Sequence, residues 1–319
     1  LQGRRGAVIV MVPQSGEVLA LASSPSYDPN RFRDRDGADY LSRIIDNQQY
    51  PMLNRAAGNA YAPGSTIKPA VVLGALETET ITANTTFYCP GYLDVGNRKF
   101  KCWQPAGHGT VGLVDALGKS CDVALYRIGL DMGLLNLRHY LREFGFGQPA
   151  GIDLPQEASG LVPSAEWKRE HYAGERYNEV DRIWYDGDTA NLAIGQGYLL
   201  ATPLQVLMMV NTIVNDGVTR KPTLLKGTKS AVGVDSARRA LPQAHGFDQE
   251  NLDLMKRGMR RTVLLGGTAE ELRNLPVPVA GKTGTAEVWM GEPHSWFVGY
   301  FPSDNPEAVS YTHLTLPTN

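Results

Sequence analysis

The pair Ser65 and Lys68 has the residue types and the spacing of a nucleophile with its base. Both lie in Ser65-Thr66-Ile67-Lys68, which follows Pro63-Gly64 and opens a mostly apolar run to Leu76 that predicts a buried helix. Residues three apart on a helix share a face, so the Lys68 amine can reach the Ser65 hydroxyl. Burial or a neighbouring cation favours the neutral amine, which can act as a base. Alone, the same pattern also fits a capped helix with a solvated lysine.

A second hydroxyl lies in Ser120-Cys121-Asp122, which follows an apolar helical stretch. The tripeptide could place a hydroxyl and a carboxylate near the same reaction centre. Taken alone, it fits better a serine inside a helix and an aspartate on the surface.

A third polar group, Lys282-Thr283-Gly284-Thr285, lies in the strand-like segment from Val279 to Trp289. Glycine in a strand leaves room for the backbone of a bound peptide, and Lys282 and Thr283 can hold a carboxylate. The alternative is an exposed edge strand that carries a charge against aggregation.

All three cysteines and one of the six histidines lie in a single segment: Cys89, Cys102, His108 and Cys121. Three thiols and one imidazole form a complete tetrahedral zinc set, which loops would have to assemble because the gaps are wider than in a zinc finger. The alternative is a Cys89–Cys102 disulfide with a free Cys121. We expect surface or structural roles for the remaining histidines, which are His139, His171, His245, His294 and His313.

The elements around these motifs predict a sheet that is closed late in the chain. Residues 7–12 and 18–22 flank a Pro/Gly turn and predict a β-hairpin. Helical patterns follow at 65–76, 113–132, 135–144, 204–215 and 249–264, with Thr202 as N-cap and Pro203 as first residue of the fourth. Residues 279–289 and 295–300 then predict two strands joined by a turn at 290–293. Strands at both ends that enclose helices indicate one mixed sheet.

The composition excludes several classes of protein. The chain has 319 residues, of which 42% are hydrophobic and 20% charged, as expected for a folded globular protein. The formal net charge of -2, with no basic stripe, argues against nucleic-acid binding. The longest apolar runs are much shorter than a membrane helix.

In their order and spacing the three motifs resemble the signature of serine β-lactamases and penicillin-binding proteins. Most of the chain, from Gly6 to about Pro302, resembles the transpeptidase domain of class B penicillin-binding proteins, in particular their elongation-specific subgroup. Asp122 stands where asparagine is commoner in the family, and aspartate is usual in that subgroup. The further matching segments are 16–23, 61–69, 184–189, 195–198 with Thr202-Pro203, and 281–287.

The resemblance implies a mixed α/β (α+β) fold, with a mostly antiparallel sheet, helices on both faces and a helical subdomain. It implies a peptidoglycan D,D-transpeptidase in which Ser65 attacks the penultimate D-alanine of a stem peptide and forms an acyl-enzyme. Lys68 would take the serine proton, Ser120 would relay it to the leaving amine, and Asp122 would contact the substrate amide or orient Lys68. Lys282, Thr283 and Thr285 would bind the terminal carboxylate, and Gly284 would also belong to the substrate-binding site. The backbone N–H groups of Ser65 and Thr285 would form the oxyanion hole.

The resemblance also implies the setting of the protein. No cofactor is needed for the chemistry, so zinc would be structural. Partners would be stem peptides, β-lactams, a membrane glycosyltransferase and proteins of the elongation complex. The domain would work on the periplasmic or extracytoplasmic face of the bacterial inner membrane. We expect residues 1–319 to be a single transpeptidase domain truncated at both ends, without its N-terminal anchor and pedestal domain. Residues 303–319 are atypical of the family, although 309–317 alternate like a strand.

Three other functions share the motifs. A β-lactamase or a D,D-carboxypeptidase would pass the acyl group to water, but the long segment between the Ser120 and Lys282 motifs argues against a compact hydrolase. A β-lactam sensor would be acylated without turnover. A catalytically silent scaffold is disfavoured because the expected catalytic side chains are all present.

Overall fold

A five-stranded antiparallel sheet is the centre of the fold. The computed structural model describes residues 4–230, 233–236, 241–286 and 293–315. The sheet has the strand order β11-β12-β13-β1-β2, and four two-stranded pairs, β3-β6, β4-β5, β7-β10 and β8-β9, lie outside it. In chain order the strands are β1 Gly6–Met11, β2 Val18–Ser24, β3 Thr86–Cys89, β4 Tyr92–Val95, β5 Arg98–Lys101, β6 Gly109–Gly112, β7 Val218–Thr219, β8 Gly227–Ser230, β9 Gly233–Ser236, β10 Gln243–Ala244, β11 Ala280–Ala286, β12 His294–Phe301 and β13 Ala308–Thr315.

In chain order, the described α-helices all lie between strands β2 and β11 of this sheet, as the sequence predicts. The α-helices are α1 Gly37–Ile45, α2 Lys68–Glu77, α3 Leu113–Gly118, α4 Asp122–Glu143, α5 Ala165–His171, α6 Asp186–Ala193, α7 Pro203–Val214 and α8 Gln249–Val263. Short 3-10 helices occur at Pro29–Arg33, Gly64–Ile67, Glu179–Arg182 and Glu270–Asn274. The mixed α/β class with a mostly antiparallel sheet is therefore confirmed.

Helix α7 shows how local sequence sets a boundary. Thr202 accepts a hydrogen bond from the Gln205 N–H, and the Gln205 side chain accepts one from the Thr202 N–H. This reciprocal capping box and Pro203 at the first helical position begin the helix where the sequence predicts. Every residue of α7 is buried, because the helix packs against β1, β12 and β13.

Two clusters of apolar side chains hold the sheet and helices together. The main cluster includes Ile9 of β1 and Val298 of β12, with residues of α2, α4, α7 and α8. Phe297 and Phe301, which alternate with Val298 along β12, pack instead with Val263, Ala269 and Val279.

The region around Ser120 differs from the helix predicted at 113–132. Helix α3 ends at Gly118 and α4 begins at Asp122, because Ser120 adopts a left-handed backbone with φ of 53°. The break predicted near residue 134 lies at Gly133, where φ is 74° inside α4. The apolar pattern continues through Ser120 and does not mark the first break, whereas it does mark the second.

The late strands agree with the sequence, and the C-terminal segment takes a central position. Strands β11 and β12 form the predicted pair, while most of the predicted turn, residues 287–292, lies outside the described residues. Strand β13 pairs with β12 on one side and β1 on the other, so the alternating pattern near residue 310 does form a strand. Within the described ranges, none of the helices has both the length and the hydropathy that crossing a bilayer requires.

Candidate active site

Ser65 lies in the tight turn that leads into α2. The 3-10 helix Gly64–Ile67 carries it, and α2 begins only at Lys68, so the single helix predicted from Ser65 has a 3-10 first turn. The serine is half-buried, whereas Lys68 is completely buried. An amine one turn from a partly accessible hydroxyl suits nucleophile activation.

The ammonium of Lys68 joins the first motif to the second. Its Nζ donates to the Ser120 carbonyl at 3.0 Å, to the Ser120 hydroxyl at 3.1 Å and to Asp122 Oδ1 at 2.7 Å. The left-handed backbone of Ser120 allows both of its oxygens to face the same amine. The three donors of an ammonium are thus all used, and loss of one proton would free a lone pair.

Asp122 is ionised in this arrangement. Burial alone would raise its pKa, but the charge and hydrogen bond of Lys68 and the Trp103 backbone N–H outweigh burial and hold the pKa below its usual value. The Trp103 N–H donates to Oδ2 at 2.9 Å. The carboxylate therefore ties Lys68 to the loop that follows β5.

The third motif lies on β11, at the edge of the sheet. Lys282 is completely buried, and its Nζ donates to the Thr283 carbonyl at 3.0 Å. Burial, and then the charge of Lys68, lower the pKa of Lys282 well below its usual value, with Asp122 opposing the shift. Thr283 Oγ1 lies 2.5 Å from Thr268 Oγ1, on the loop after α8.

The turn of Ser65 and strand β11 are in backbone contact. A Cβ added at Gly64, where φ is +54°, would lie 2.6 Å from the Thr285 carbonyl oxygen. A Cβ added at Gly284 would lie 2.8 Å from a methyl carbon of Thr66. Only glycine fits both places, so the first and third motifs are brought together as the sequence predicts.

The cysteines and His108 form one compact cluster. Their ligand atoms all lie within 4.8 Å of one another, and the three thiols are free. His108 Nδ1 lies 3.7 Å from Cys89 Sγ and 3.5 Å from Cys102 Sγ. Tetrahedral zinc would place nitrogen and sulfur ligands about 3.6 Å apart, so these residues fit the ion.

A hydrogen bond between two of the thiols, those of Cys102 and Cys121, favours the thiolate form of Cys102. The thiol of Cys121 bonds to Cys102, which lowers the pKa of Cys102 to about 5 against the effect of burial. The same contact, followed by burial, raises the pKa of Cys121. A thiolate is the form of cysteine that binds metals.

The remaining histidines lie away from these motifs or serve packing. His139 and His171 are exposed, while His245 contacts Glu143. His313 is buried with Tyr61, His294 and Trp296. These positions agree with surface or structural roles.

Three residues contact the motifs without having been predicted as part of the site. They are Trp103, through its backbone N–H, Thr268, and Gln196, whose Nε2 donates to the Thr285 carbonyl at 3.3 Å. Gln196 lies in a segment that matches the family, which was a usable signal. Nothing local marks the other two, because their contacts join distant parts of the chain.

Comparisons with known proteins agree with this geometry. Residues 6–319 match the family described as Penicillin binding protein transpeptidase domain. The chain is 35% identical to "Peptidoglycan D,D-transpeptidase MrdA" of Haemophilus influenzae, over 97% of this chain and 49% of that protein. The corresponding Escherichia coli protein is 36% identical, over 91% of this chain and 45% of its own length.

Solved structures of penicillin-binding protein 2 (PBP2) share the fold. The Pseudomonas aeruginosa PBP2 complex with WCK 5153 has a TM-score of 0.86 and 34% identity, over 98% of this chain and 67% of that one. The Helicobacter pylori PBP2 complex with MreC also has a TM-score of 0.86, with 33% identity over 98% of this chain and 57% of that one.

The chain spans about half the length of the curated relatives it matches. The half that it spans contains the three motifs and the sheet that bring Ser65, Lys68 and Lys282 together. Since the matching family covers nearly the whole chain, the chain belongs to the penicillin-binding protein transpeptidase domain family.

Proposed function

We propose that this chain is a peptidoglycan D,D-transpeptidase that cross-links stem peptides through an acyl-enzyme on Ser65. The observation that carries the proposal is the bonding of buried Lys68 to Ser120 and Asp122, one turn after Ser65. The similarity to proteins named D,D-transpeptidases supports the substrate class.

In the proposed acylation, the Ser65 oxygen forms a bond to the carbonyl carbon of the penultimate D-alanine. Lys68, once one of its ammonium protons has passed to solvent, takes the Ser65 proton, and Ser120 relays a proton from Lys68 to the nitrogen of the terminal D-alanine. The C–N bond then breaks, and D-alanine leaves. The contact between Lys68 Nζ and Ser120 Oγ, 3.1 Å, supports this relay.

Strand β11 would hold the substrate in register. Lys282 with Thr283 and Thr285 would bind the terminal carboxylate, and Gly284 would let β11 pack closely on Thr66 beside them. A bound carboxylate would also favour the charged form of Lys282, whose pKa burial lowers. The backbone N–H groups of Ser65 and Thr285 would stabilise the oxyanion.

In the second half of the reaction, an amine of a neighbouring stem peptide would attack the acyl carbon. Ser120 and Lys68 would pass a proton from the attacking amine to the Ser65 oxygen, whose bond to the acyl carbon breaks as the cross-link forms. Penicillin would acylate Ser65 as a substrate mimic, and the acyl group would persist.

Mass spectrometry of the intact chain after incubation with a penicillin tests the nucleophile. We expect one adduct per chain, located on Ser65 and stable for many minutes. Ser65→Ala should remain unlabelled, while Ser42→Ala, a change on the exposed face of α1, should label like the parent chain. Labelling of the Ser65→Ala variant would refute the assignment.

The fate of the acyl group separates the rival functions. A synthetic stem pentapeptide with an added amine acceptor should give the cross-linked product and free D-alanine. Transfer mainly to water would indicate a carboxypeptidase, rapid loss of the penicilloyl group a β-lactamase, and acylation without either product a sensor.

We also propose a structural zinc ion bound by Cys89, Cys102, His108 and Cys121. The fit of their ligand atoms to a tetrahedral site supports this. Cys121 lies between Ser120 and Asp122, so these ligands would fix the backbone of the second motif. The ion would take no part in the chemistry.

Metal analysis of freshly purified protein tests the zinc site. We expect one zinc per chain, and a Cys89→Ser, Cys102→Ser double variant should lose it and melt at lower temperature. Protein without stoichiometric zinc, in which Cys89 and Cys102 are oxidised, would support the disulfide instead.

We further propose that the chain works as one transpeptidase domain on the extracytoplasmic face of the bacterial inner membrane. The pairing of β1 with β13, at opposite ends of the chain, supports a single domain. By similarity to the PBP2–MreC complex and to a peptidoglycan synthase complex, its partners would be elongation proteins and a glycosyltransferase. Co-purification of the tagged protein from cross-linked cells with both partners would support this, and its absence would contradict it.

A further inference from the structure

The loop after α6 contacts both chain segments that meet at Ser65. The side-chain Nε2 of Gln196 donates to the Thr285 carbonyl oxygen at 3.3 Å. The carbonyl of the preceding residue, Gly195, accepts a hydrogen bond from the Gly64 N–H at 2.9 Å. Gly195 is thus bonded to the residue before Ser65, and the next residue, Gln196, is bonded to strand β11, which faces Ser65.

The packing at this junction leaves little room for the backbones to move. A Cβ added at Gly195, where φ is +76°, would lie 2.1 Å from the Gly64 carbonyl oxygen. The Gly64 Cα is in turn packed on the Thr285 carbonyl. The loop therefore packs on the serine turn, and the serine turn packs on β11. The Gln196 amide adds a directional hydrogen bond from the loop to β11.

The direction of that bond bears on the Thr285 N–H. In an extended strand, the N–H and the C=O of one residue point to the same side, because opposite residues exchange both groups. Strand β11 is the edge of the sheet, with β12 as its partner on the other side. Since the Thr285 carbonyl points to Gln196 and Gly64, the Thr285 N–H also points toward the turn of Ser65.

We propose that Gln196 is a positioning residue that holds Thr285 so that its N–H faces the carbonyl oxygen of the acyl group. Fixing the Thr285 carbonyl limits rotation about the Thr285 backbone and so fixes the N–H donor before the substrate arrives. The inference rests on the proposed function, because the donor matters only if Ser65 forms a tetrahedral adduct.

Two variants of Gln196 test the role. Gln196→Met keeps the length of the side chain without a donor, and Gln196→Glu keeps its shape but replaces the donor by a carboxylate oxygen. We expect both to be acylated by penicillin about tenfold more slowly, with the Glu variant at least as slow as the Met variant. The affinity of the complex before acylation should change by less than about twofold.

A second readout separates positioning from general loosening of the fold. A peptide boronic acid forms a tetrahedral adduct on a reactive serine, with one oxygen where the oxyanion would lie. Its inhibition constant should rise by about the same factor as the acylation rate falls, since both report the same donor. Gln249→Ala, which removes a surface glutamine that bonds to Asp216 and Asp253, should leave both values unchanged.

The outcomes are distinct. Unchanged acylation in both variants, or slow acylation with unchanged boronic acid affinity, would overturn the role of Gln196. If the Met variant does not fold, the Glu variant, which has the same size as the parent side chain, decides alone. A parent chain that is not acylated on Ser65 would remove the proposed function, and the inference with it, before any Gln196 variant is compared.

Discussion

Lys68 and Asp122 form a buried ion pair, with 2.7 Å between Nζ and Oδ1. The side chain of Lys68 has no exposed surface, and that of Asp122 is 11% exposed. A charge in such a place depends on its partner, because removal of either one leaves the other desolvated and uncompensated. The pair therefore links the stability of the fold to the arrangement of the reactive groups.

Asp122→Asn should destabilise the protein by about 3–5 kcal/mol, measured by urea unfolding near pH 7. Folding lowers the pKa of Asp122, so the ionised side chain stabilises the fold at pH values above its pKa in the unfolded chain. This stabilisation is lost as the pH falls through the pKa of Asp122 in the folded protein. Asp216→Asn breaks a more exposed pair with Lys256 and should cost less than about 1 kcal/mol. Equal losses of unfolding free energy in the two variants would contradict the conclusion that burial makes the Lys68–Asp122 pair more important for stability.

Ser120→Gly should separate activity from stability. Glycine removes the hydroxyl that contacts Lys68 and relieves the left-handed backbone, so stability should stay within about 1 kcal/mol while acylation by penicillin slows roughly 100-fold. Glu79→Gly relieves a similar φ of 54° at an exposed site and should leave acylation unchanged. Full activity of the Ser120→Gly variant would exclude the relay.

Gly64→Ala should abolish rapid acylation. The new Cβ would lie 2.6 Å from the Thr285 oxygen, so either the serine turn or β11 must shift, and a shift of about 1 Å can slow the reaction 100-fold. Gly96→Ala is the matched control, because Gly96 has φ of +58° and open space around it. It should cost only the backbone strain, about 1 kcal/mol, without loss of acylation.

His313 should make stability fall on acidification. Burial, and then the charges of His294 and Arg55, lower its pKa to about 3, and neither ring nitrogen has a hydrogen-bond partner among the residues that the structure describes. Between the usual pKa of 6.5 and about 3, the unfolded chain binds the proton and the folded one does not. The free energy of unfolding should therefore fall by roughly 1.4 kcal/mol per pH unit in this window.

His313→Phe should reduce that slope, because phenylalanine fills the same aromatic site without a proton to bind. Urea unfolding at several pH values measures it. His139→Phe, on the exposed face of α4, should leave the slope unchanged. Identical slopes for the parent chain and the His313→Phe variant would contradict the assignment.

The sequence predicted those features that depend on neighbouring residues. The capping box of α7 and the pairing of β11 with β12 follow from local patterns. The reactive groups were predicted because the three motifs occur together in the order and spacing typical of one family. The four metal-binding candidates were predicted from residue types, and the structure brings them within reach of one ion.

The remaining features depend on contacts between distant segments. The left-handed Ser120 has no local marker, since it is serine and not glycine that adopts this backbone. The bond from the Trp103 N–H to Asp122 and the bond from Gln196 to Thr285 join residues from separate elements. Such contacts follow from the packed fold, which periodicity does not describe.

The pairing of β13 with β1 also has a consequence for how the protein folds. Gly6 lies opposite Leu314, so the five-stranded sheet closes only when two segments from opposite ends of the described chain meet. Until they meet, the β1–β2 hairpin has an unpaired edge on β1, which exposes it to association with other chains. Contacts of such long sequence separation also predict slow folding, so a chaperone should protect β1 until β13 pairs with it.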